Sequence, residues 1–304
     1  MKPQLDGHKG NTMTAAPNIR RRYKGGFTNT DRWARFTPRS GDVFVSTPPK
    51  CGTTWTTTIV AMLCQGTTDV NSAESVQWLD AEVVPIEEAV AALQAHEGRR
   101  CIKSHTPFDG MPYYADATYI AVYRHPIDML FSHRKHTANM KCAAPDHPYL
   151  GDADGSLKYF INRALDFDDY DDGILAAMVR HYLSFITAPV PENVLAIHYS
   201  DMLADARSVI GQICAMIGAA PDDPFLDEIH EATKFSSMKA QADRYAPFAN
   251  RDFWHDSAAF FDSGGTGKWD GKLSKAALSD YRQHVASMMS AKQLAWLEHG
   301  SAGQ

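Results

Sequence analysis

Lys50-Cys51-Gly52-Thr53-Thr54-Trp55 is a run of residue types that could do chemistry on an anion. Upstream, residues 42–47 (DVFVST) alternate, are rich in β-branched side chains and predict a buried strand. A Pro-Pro-Lys-Cys-Gly turn follows, and then Trp55, Ile59, Met62 and Leu63 recur with helical period. The run therefore falls at a helix start. Free backbone N–H groups converge at such a start, the helix dipole favours negative charge there, and glycine allows close backbone approach. Lys50 adds a full cation, and the Thr53 and Thr54 hydroxyls can donate to phosphate or sulfate oxygens. A nucleotide-hydrolysing loop would read GxxxxGK[ST], whereas here the lysine precedes the glycine and the first glycine is missing. Gly264-Gly265-Thr266-Gly267-Lys268 imitates that loop but puts Trp269 where Ser or Thr is required. Taken alone, residues 49–55 fit a plain strand–helix turn equally well.

Positioning that run falls to alternating strands and helices. Residues 100–104, 118–123 and 194–198 predict further buried strands. Helices are predicted over 86–96, from Pro126 onward, and over 157–165, 174–186 and 202–217, with Gly218 as a stop. The threonines at 56–58 are poor helix formers, so tertiary contacts must hold the first long helix. The C-terminal third reads as mostly helical, interrupted by the glycine-rich stretch 263–267. This order predicts an α/β fold: a single domain with a central, mainly parallel sheet flanked by helices. Residues 1–22 are polar and end in Arg20, Arg21 and Arg22, which predicts a flexible lead-in able to touch an acidic membrane surface. Residues 23–304 form the expected domain.

The bulk numbers exclude several classes. With 304 residues, 44% hydrophobic and 22% charged, the chain has the makings of a globular core. A net charge of −6 gives no support to a nucleic-acid-coating role. No apolar run reaches membrane-spanning length, and residues 1–26 carry no hydrophobic signal core. Five scattered cysteines without a CxxC pair predict reduced thiols and a cytoplasmic location. No cysteine or histidine cluster has zinc-ligand spacing, and His133 with His136 lacks a third ligand, so no metal is expected.

Further motifs accompany the helix-start run. Lys103-Ser104-His105-Thr106-Pro107 follows the second strand, Tyr123-Arg124-His125-Pro126-Ile127-Asp128 with Ser132 follows the third, and Tyr199-Ser200-Asp201-Met202 follows the fourth. Residues 233–238 read TKFSSM and residues 264–269 read GGTGKW. In this order, with Pro49-Lys50-Cys51-Gly52-Thr53-Thr54-Trp55, they resemble the PKSGTTW, KTHLP, RNPKDxxxS, YED, TSFxxM and RKGxxGDW segments of the cytosolic-type sulfotransferases. These enzymes use 3′-phosphoadenosine 5′-phosphosulfate (PAPS) and release adenosine 3′,5′-bisphosphate (PAP). The resemblance covers residues 42 to about 270, and it implies a P-loop-like sulfotransferase fold and a PAPS-dependent transferase needing no metal.

The resemblance also implies roles. Lys50, Gly52, Thr53, Thr54 and Trp55 would hold the 5′-phosphosulfate, with Cys51 in place of the family's serine and its backbone donor kept. Arg124 and Ser132 would bind the 3′-phosphate. Tyr199, Thr233, Phe235 and Met238 would meet the nucleoside, beside Gly264 of the glycine-rich stretch. His105 would be the catalytic base, a task suited to an imidazole that titrates near neutrality. Lys50 and Lys103 would face developing negative charge. Read without the family, Arg124 could pair with Asp128 four residues on, and Tyr199 could be a core aromatic whose hydroxyl meets solvent.

Residues 77–80, 85–88 and 106–110 are similar to bacterial relatives described as glycolipid sulfotransferases, which implies a small or lipid-like acceptor with a hydroxyl or amine. Trp78, Phe108, Met111 and Tyr113 are candidates for an apolar acceptor pocket, and equally for ordinary core or surface aromatics. Two departures stand out. Asp262 and Ser263 occupy the place of the family's Arg-Lys pair at the 3′-phosphate, with Lys268, Arg251 and Lys272 as substitute cations. This keeps open a nucleotide-binding protein without transfer activity. Asp270, Ser274, Lys275 and Ser279 replace the family's dimerisation motif, which leaves the oligomeric state open.

Overall fold

The computed structural model describes residues 18–303 apart from Asp172 and Asn250, so most of the 1–22 segment lies outside the described residues. Its described end is docked: the Arg20 and Arg21 amides donate to the Asp109 carbonyl, each at 2.9 Å.

β1 (Val43–Ser46), β2 (Cys101–Ser104), β3 (Thr118–Tyr123) and β4 (Val194–His198) form one parallel sheet in the order β2-β1-β3-β4. All four fall where the sequence predicts strands. Phe44, Ile102, Tyr119, Ala121 and Tyr123 pack on one face, and Val43, Val45, Cys101, Ile120, Val122 and Ile197 on the other. This period-two split buries both faces, which is why the strands read as near-continuous apolar runs.

The first long helix, α1 (Thr53–Gln65), keeps Thr56, Thr57 and Thr58 buried. Their hydroxyls find partners: Thr56 Oγ1 donates to the Gly52 carbonyl at 3.2 Å, and Thr58 Oγ1 meets Ser72 Oγ at 2.8 Å. Local bonds and burial thus override weak helix propensity. Two predicted helices are corrected. The one expected over 157–165 is Ala153–Asn162, started by the Asp152 carboxylate accepting from the Gly155 amide. The one expected over 202–217 is two, Tyr199–Ala204 and Ala206–Ile217. Asp205 divides them with a non-helical backbone (φ −151°, ψ 79°) while its side chain caps the second by accepting from Ser208 N. Gly218 ends that helix in the left-handed region (φ 65°), as expected.

Among the described residues no helix is long and apolar enough to cross a membrane, and the five cysteines are unbridged.

Asp42 and Arg100 stand just ahead of β1 and β2, 1% and 2% exposed. Arg100 donates from Nε to Asp42 Oδ1 at 2.8 Å, from Nη2 to Oδ2 at 2.5 Å, and again from Nη2 to the Thr37 carbonyl at 2.9 Å. This fork clamps the amino ends of the two strands whose other ends carry Lys50 and His105. Removing one partner leaves a buried charge uncompensated. Asp42→Asn is expected to cost about 3 kcal/mol of stability, seen as a lowered urea midpoint at unchanged slope. An unaltered midpoint would show that the pair does not hold the sheet.

Candidate active site

The strand order opens a crevice. β1 connects toward β2 on one side and β3 toward β4 on the other, so the two connections part at the carboxyl ends of adjacent strands. Each strand end delivers a segment: β1 leads to Lys50, β2 to His105, β3 to Arg124 and β4 to Tyr199. All four residues line one cleft of about 1000 Å³.

The β1–α1 turn is shaped for close approach. Lys50 takes a positive φ of 62° and Gly52 one of 111°. A Cβ on Gly52 would lie 3.0 Å from the Tyr199 ring, so only glycine fits without displacing that ring. No side chain caps the start of α1 and no acidic residue sits in its first turn, which leaves the positive helix end uncompensated by its own segment. Gly52, Thr53, Thr54 and Trp55 line the cleft. Thr53 Oγ1 meets Thr47 Oγ1 at 2.5 Å, and the Trp55 ring stands edge-on to Tyr199 at 5.8 Å.

Cys51 was expected to serve through its backbone donor alone. Its thiol does not line the cleft but is buried in the core, which pushes it up to about 12, and its amide donates to the Pro48 carbonyl at 3.3 Å. The Lys50 side chain lines the cleft, whereas that of Cys51 packs in the core.

The Lys50 amine lies 3.2 Å from His136 Nδ1 and 4.2 Å from the centre of the Phe260 ring. Burial, and then the charges of Lys103, Arg124 and Lys268, lower it to about 7.

His105 is held from both sides. Ser104 Oγ and Thr106 Oγ1, its chain neighbours, each donate to Asp80 Oδ2 at 2.6 Å. Its own Nδ1 lies 2.6 Å from the Thr47 carbonyl, which can only accept, so the proton is on Nδ1 and Nε2 keeps its lone pair. Burial, reinforced by Lys103, pushes the imidazole well below its ordinary range, so it is neutral. Trp78 stands edge-on to it at 4.8 Å, and the Lys103 amine lies 4.0 Å over the Trp78 ring. All of Lys103, His105 and Trp78 line the cleft.

Arg124 is 3% exposed and stacks 4.4 Å over the Tyr199 ring. Its guanidinium donates to the Gly265 carbonyl and, at 3.4 Å, to the Lys50 carbonyl, while Nε is buried with no hydrogen-bond partner among the described residues. A surface pair with Asp128 is not formed. Asp128 instead accepts from the Gly267 and Lys268 amides at 3.0 and 3.1 Å. The Tyr199 hydroxyl donates to the Gly264 carbonyl at 2.7 Å rather than meeting solvent. Gly264 (φ 66°) packs so closely on Phe235 that a Cβ would lie 2.6 Å from its ring. Ser132, Thr233, Phe235, Met238 and Gly264 all line the cleft.

Of the substitute cations, Lys268 reaches the cleft, where its amine contacts Asp262 Oδ2 at 2.7 Å. Arg251 is paired with Glu88, and the Lys272 amine lies 5.7 Å from the Phe131 ring; neither lines the cleft.

The predicted apolar pocket is mostly corrected. Trp78 lines the cleft, but Phe108, Met111 and Tyr113 do not. After β2 the chain returns to the amino end of β3, away from the carboxyl-end crevice. There Phe108 and Tyr113 pack at 5.2 and 5.9 Å on Tyr119, and Met111 is 2% exposed. Residues not predicted supply the wall: His133, His136, Phe248, Phe253, Trp254 and Phe260. The histidines carried a usable signal, since Ser132 and His136 are four apart on one helix (Pro126–Asn139) and so share a face. Phe248 and Phe253 lie in turns, Trp254 makes an isolated bridge to Met140 and Phe260 ends a short 3-10 helix, so these residues offered no periodicity. Among the described residues no three His, Cys, Asp or Glu side chains are grouped to hold a metal.

Residues 40–293 match the sulfotransferase domain family. The glycolipid sulfotransferase of Mycobacterium tuberculosis is 27% identical over 92% of this chain and 95% of its own. Human sulfotransferase 2A1 is 24% identical over 81% of this chain and 83% of its own. A mouse sulfotransferase complexed with PAP superposes with a TM-score of 0.66, at 20% identity over 85% of this chain and 87% of that one. Retinol dehydratase in complex with androsterone and PAP gives 0.68, at 17% identity over 84% and 82%. The structural likenesses establish the fold, and the domain match the family: this chain belongs to the sulfotransferases and is an enzyme of that family.

Proposed function

We propose that the chain moves the sulfuryl group of PAPS to a hydroxyl or amine of a lipid-like or small acceptor, with His105 as the base. The observation that carries this reading is that Lys50 and His105, delivered by neighbouring strands, face one cleft. The α1 start, Lys50, Arg124 and Lys268 offer donors and cations for a nucleotide with two charged ends, and the orphaned Arg124 Nε suits an anionic oxygen. Tyr199, Thr233, Phe235 and Met238 are suited to the nucleoside.

His105, neutral and with Nε2 unprotonated, would take the acceptor's proton as the new oxygen–sulfur or nitrogen–sulfur bond forms. The bond from sulfur to the 5′-phosphate oxygen breaks, and Lys50 and Lys103 would meet the negative charge that collects on the leaving phosphate. The aromatic wall of Trp78, Phe248, Phe253, Trp254 and Phe260 favours an amphiphilic acceptor body, in line with the glycolipid named for the mycobacterial relative. The Asp262–Lys268 pair favours a second reading, in which nucleotide binds without turnover.

Radiolabelled PAPS offered with phenols, steroids, amines and glycolipids distinguishes these readings, since label should enter an amphiphilic alcohol. His105→Ala is expected to lower transfer by roughly a thousandfold while PAP affinity holds. Full activity in that variant would remove His105 as the base.

Lys50 gives a pH prediction. In the free protein its amine is lowered to about 7, and a bound phosphate favours the ammonium form, so binding above that pH requires proton uptake. PAP affinity, followed by calorimetry, should be flat just below about pH 7 and fall toward tenfold per unit above it, a loss that Lys50→Arg abolishes. A flat profile through pH 9 in the unsubstituted protein would contradict the assignment.

A further inference from the structure

The cleft holds a carboxylate where the proposed ligand would bring phosphate. Asp262 shares the cleft wall with Lys50, Arg124 and Lys268 and lies 2.7 Å from the Lys268 amine. The pair is half-sheltered, with side chains 32% and 13% exposed, so its attraction is screened less than that of a surface pair. Lys268 is fixed in place, because its amide and that of Gly267 donate to Asp128. The same loop is tied to Arg124 through the Gly265 carbonyl and to Tyr199 through the Gly264 carbonyl. Arg124 meanwhile keeps a buried Nε without a partner among the described residues. One cation of this end of the cleft is therefore occupied by an internal anion, and another is short of one.

We infer that Asp262 is a selectivity residue for the nucleotide: a resident carboxylate on Lys268 that the second, ribose-linked phosphate has to displace. The inference rests on the proposed nucleotide site. A phosphate arriving beside Arg124 either takes Lys268 from Asp262 or lies next to an uncompensated carboxylate. Both weaken binding of a bisphosphate, and both act less on a nucleotide whose single phosphate sits at the α1 start and makes no use of Lys268; there Asp262 enters only as the smallest of the influences on Lys50. Asp262 thereby narrows the preference for a bisphosphate over a monophosphate that the surrounding cations would otherwise impose.

Calorimetric titration of the full chain with PAP and with adenosine 5′-phosphate tests this. Asp262→Asn should tighten PAP by about tenfold and change adenosine 5′-phosphate by less than about twofold. Lys268→Met should weaken PAP alone. In the double variant, Asp262→Asn should have a smaller effect than on the unsubstituted background, since much of its action passes through Lys268. An equal shift for both nucleotides, or none for PAP, would overturn the inference while leaving the proposed site intact. Failure of the unsubstituted protein to bind either nucleotide would overturn both.

Discussion

Cations brought together out of water repel one another, and this chain gathers Lys50, Lys103, Arg124 and Lys268 on one cleft although its net charge is −6. The uncapped start of α1 adds further positive potential. Lys50 registers the strain of that arrangement: burial and the three neighbouring cations lower its amine to about 7. Such a cluster is unfavourable by itself and becomes favourable when an anion fills it, which is the physical basis for reading the cleft as a phosphate and sulfate site.

Much of the remaining structure serves to hold those charges in place. The parallel sheet places all its carboxyl ends on one side, and the order β2-β1-β3-β4 parts the connections there. The Asp42–Arg100 fork fixes the opposite ends of β1 and β2, and Asp80 braces the residues on either side of His105. The glycine-rich loop is tied to Asp128, Arg124 and Tyr199, so it forms a wall fixed to the same residues that line the cleft. The imidazole of His105 stays neutral among these cations for the same reasons that Lys50 is weakened: burial first, and then the charge of Lys103.

The sequence made the local parts of this legible. Strands appeared as β-branched apolar runs, four of the motifs followed a strand directly, and the family resemblance singled out Lys50, His105, Arg124 and Tyr199 before their juxtaposition was seen. What required the third dimension was direction. Cys51 belongs to the nucleotide run by position, yet its thiol points into the core. Phe108, Met111 and Tyr113 follow the His105 segment closely, but the chain has by then turned back to the other end of the sheet. The aromatic wall of Phe248, Phe253, Trp254 and Phe260 is built from turns, an isolated bridge and a single 3-10 turn, where no period marks a buried face. The break at Asp205 did carry a signal, since aspartate is a poor helix-interior residue and a favoured cap.

A crystal structure of the protein with PAP measures the central claim most directly. The 5′-phosphate should lie within hydrogen-bond distance of the amides opening α1 and of Lys50, the latter drawn off His136, with the open side of that phosphate toward His105. A nucleotide bound outside this cleft, or one that leaves Lys50 against His136 and His105 remote from the phosphate, would contradict it.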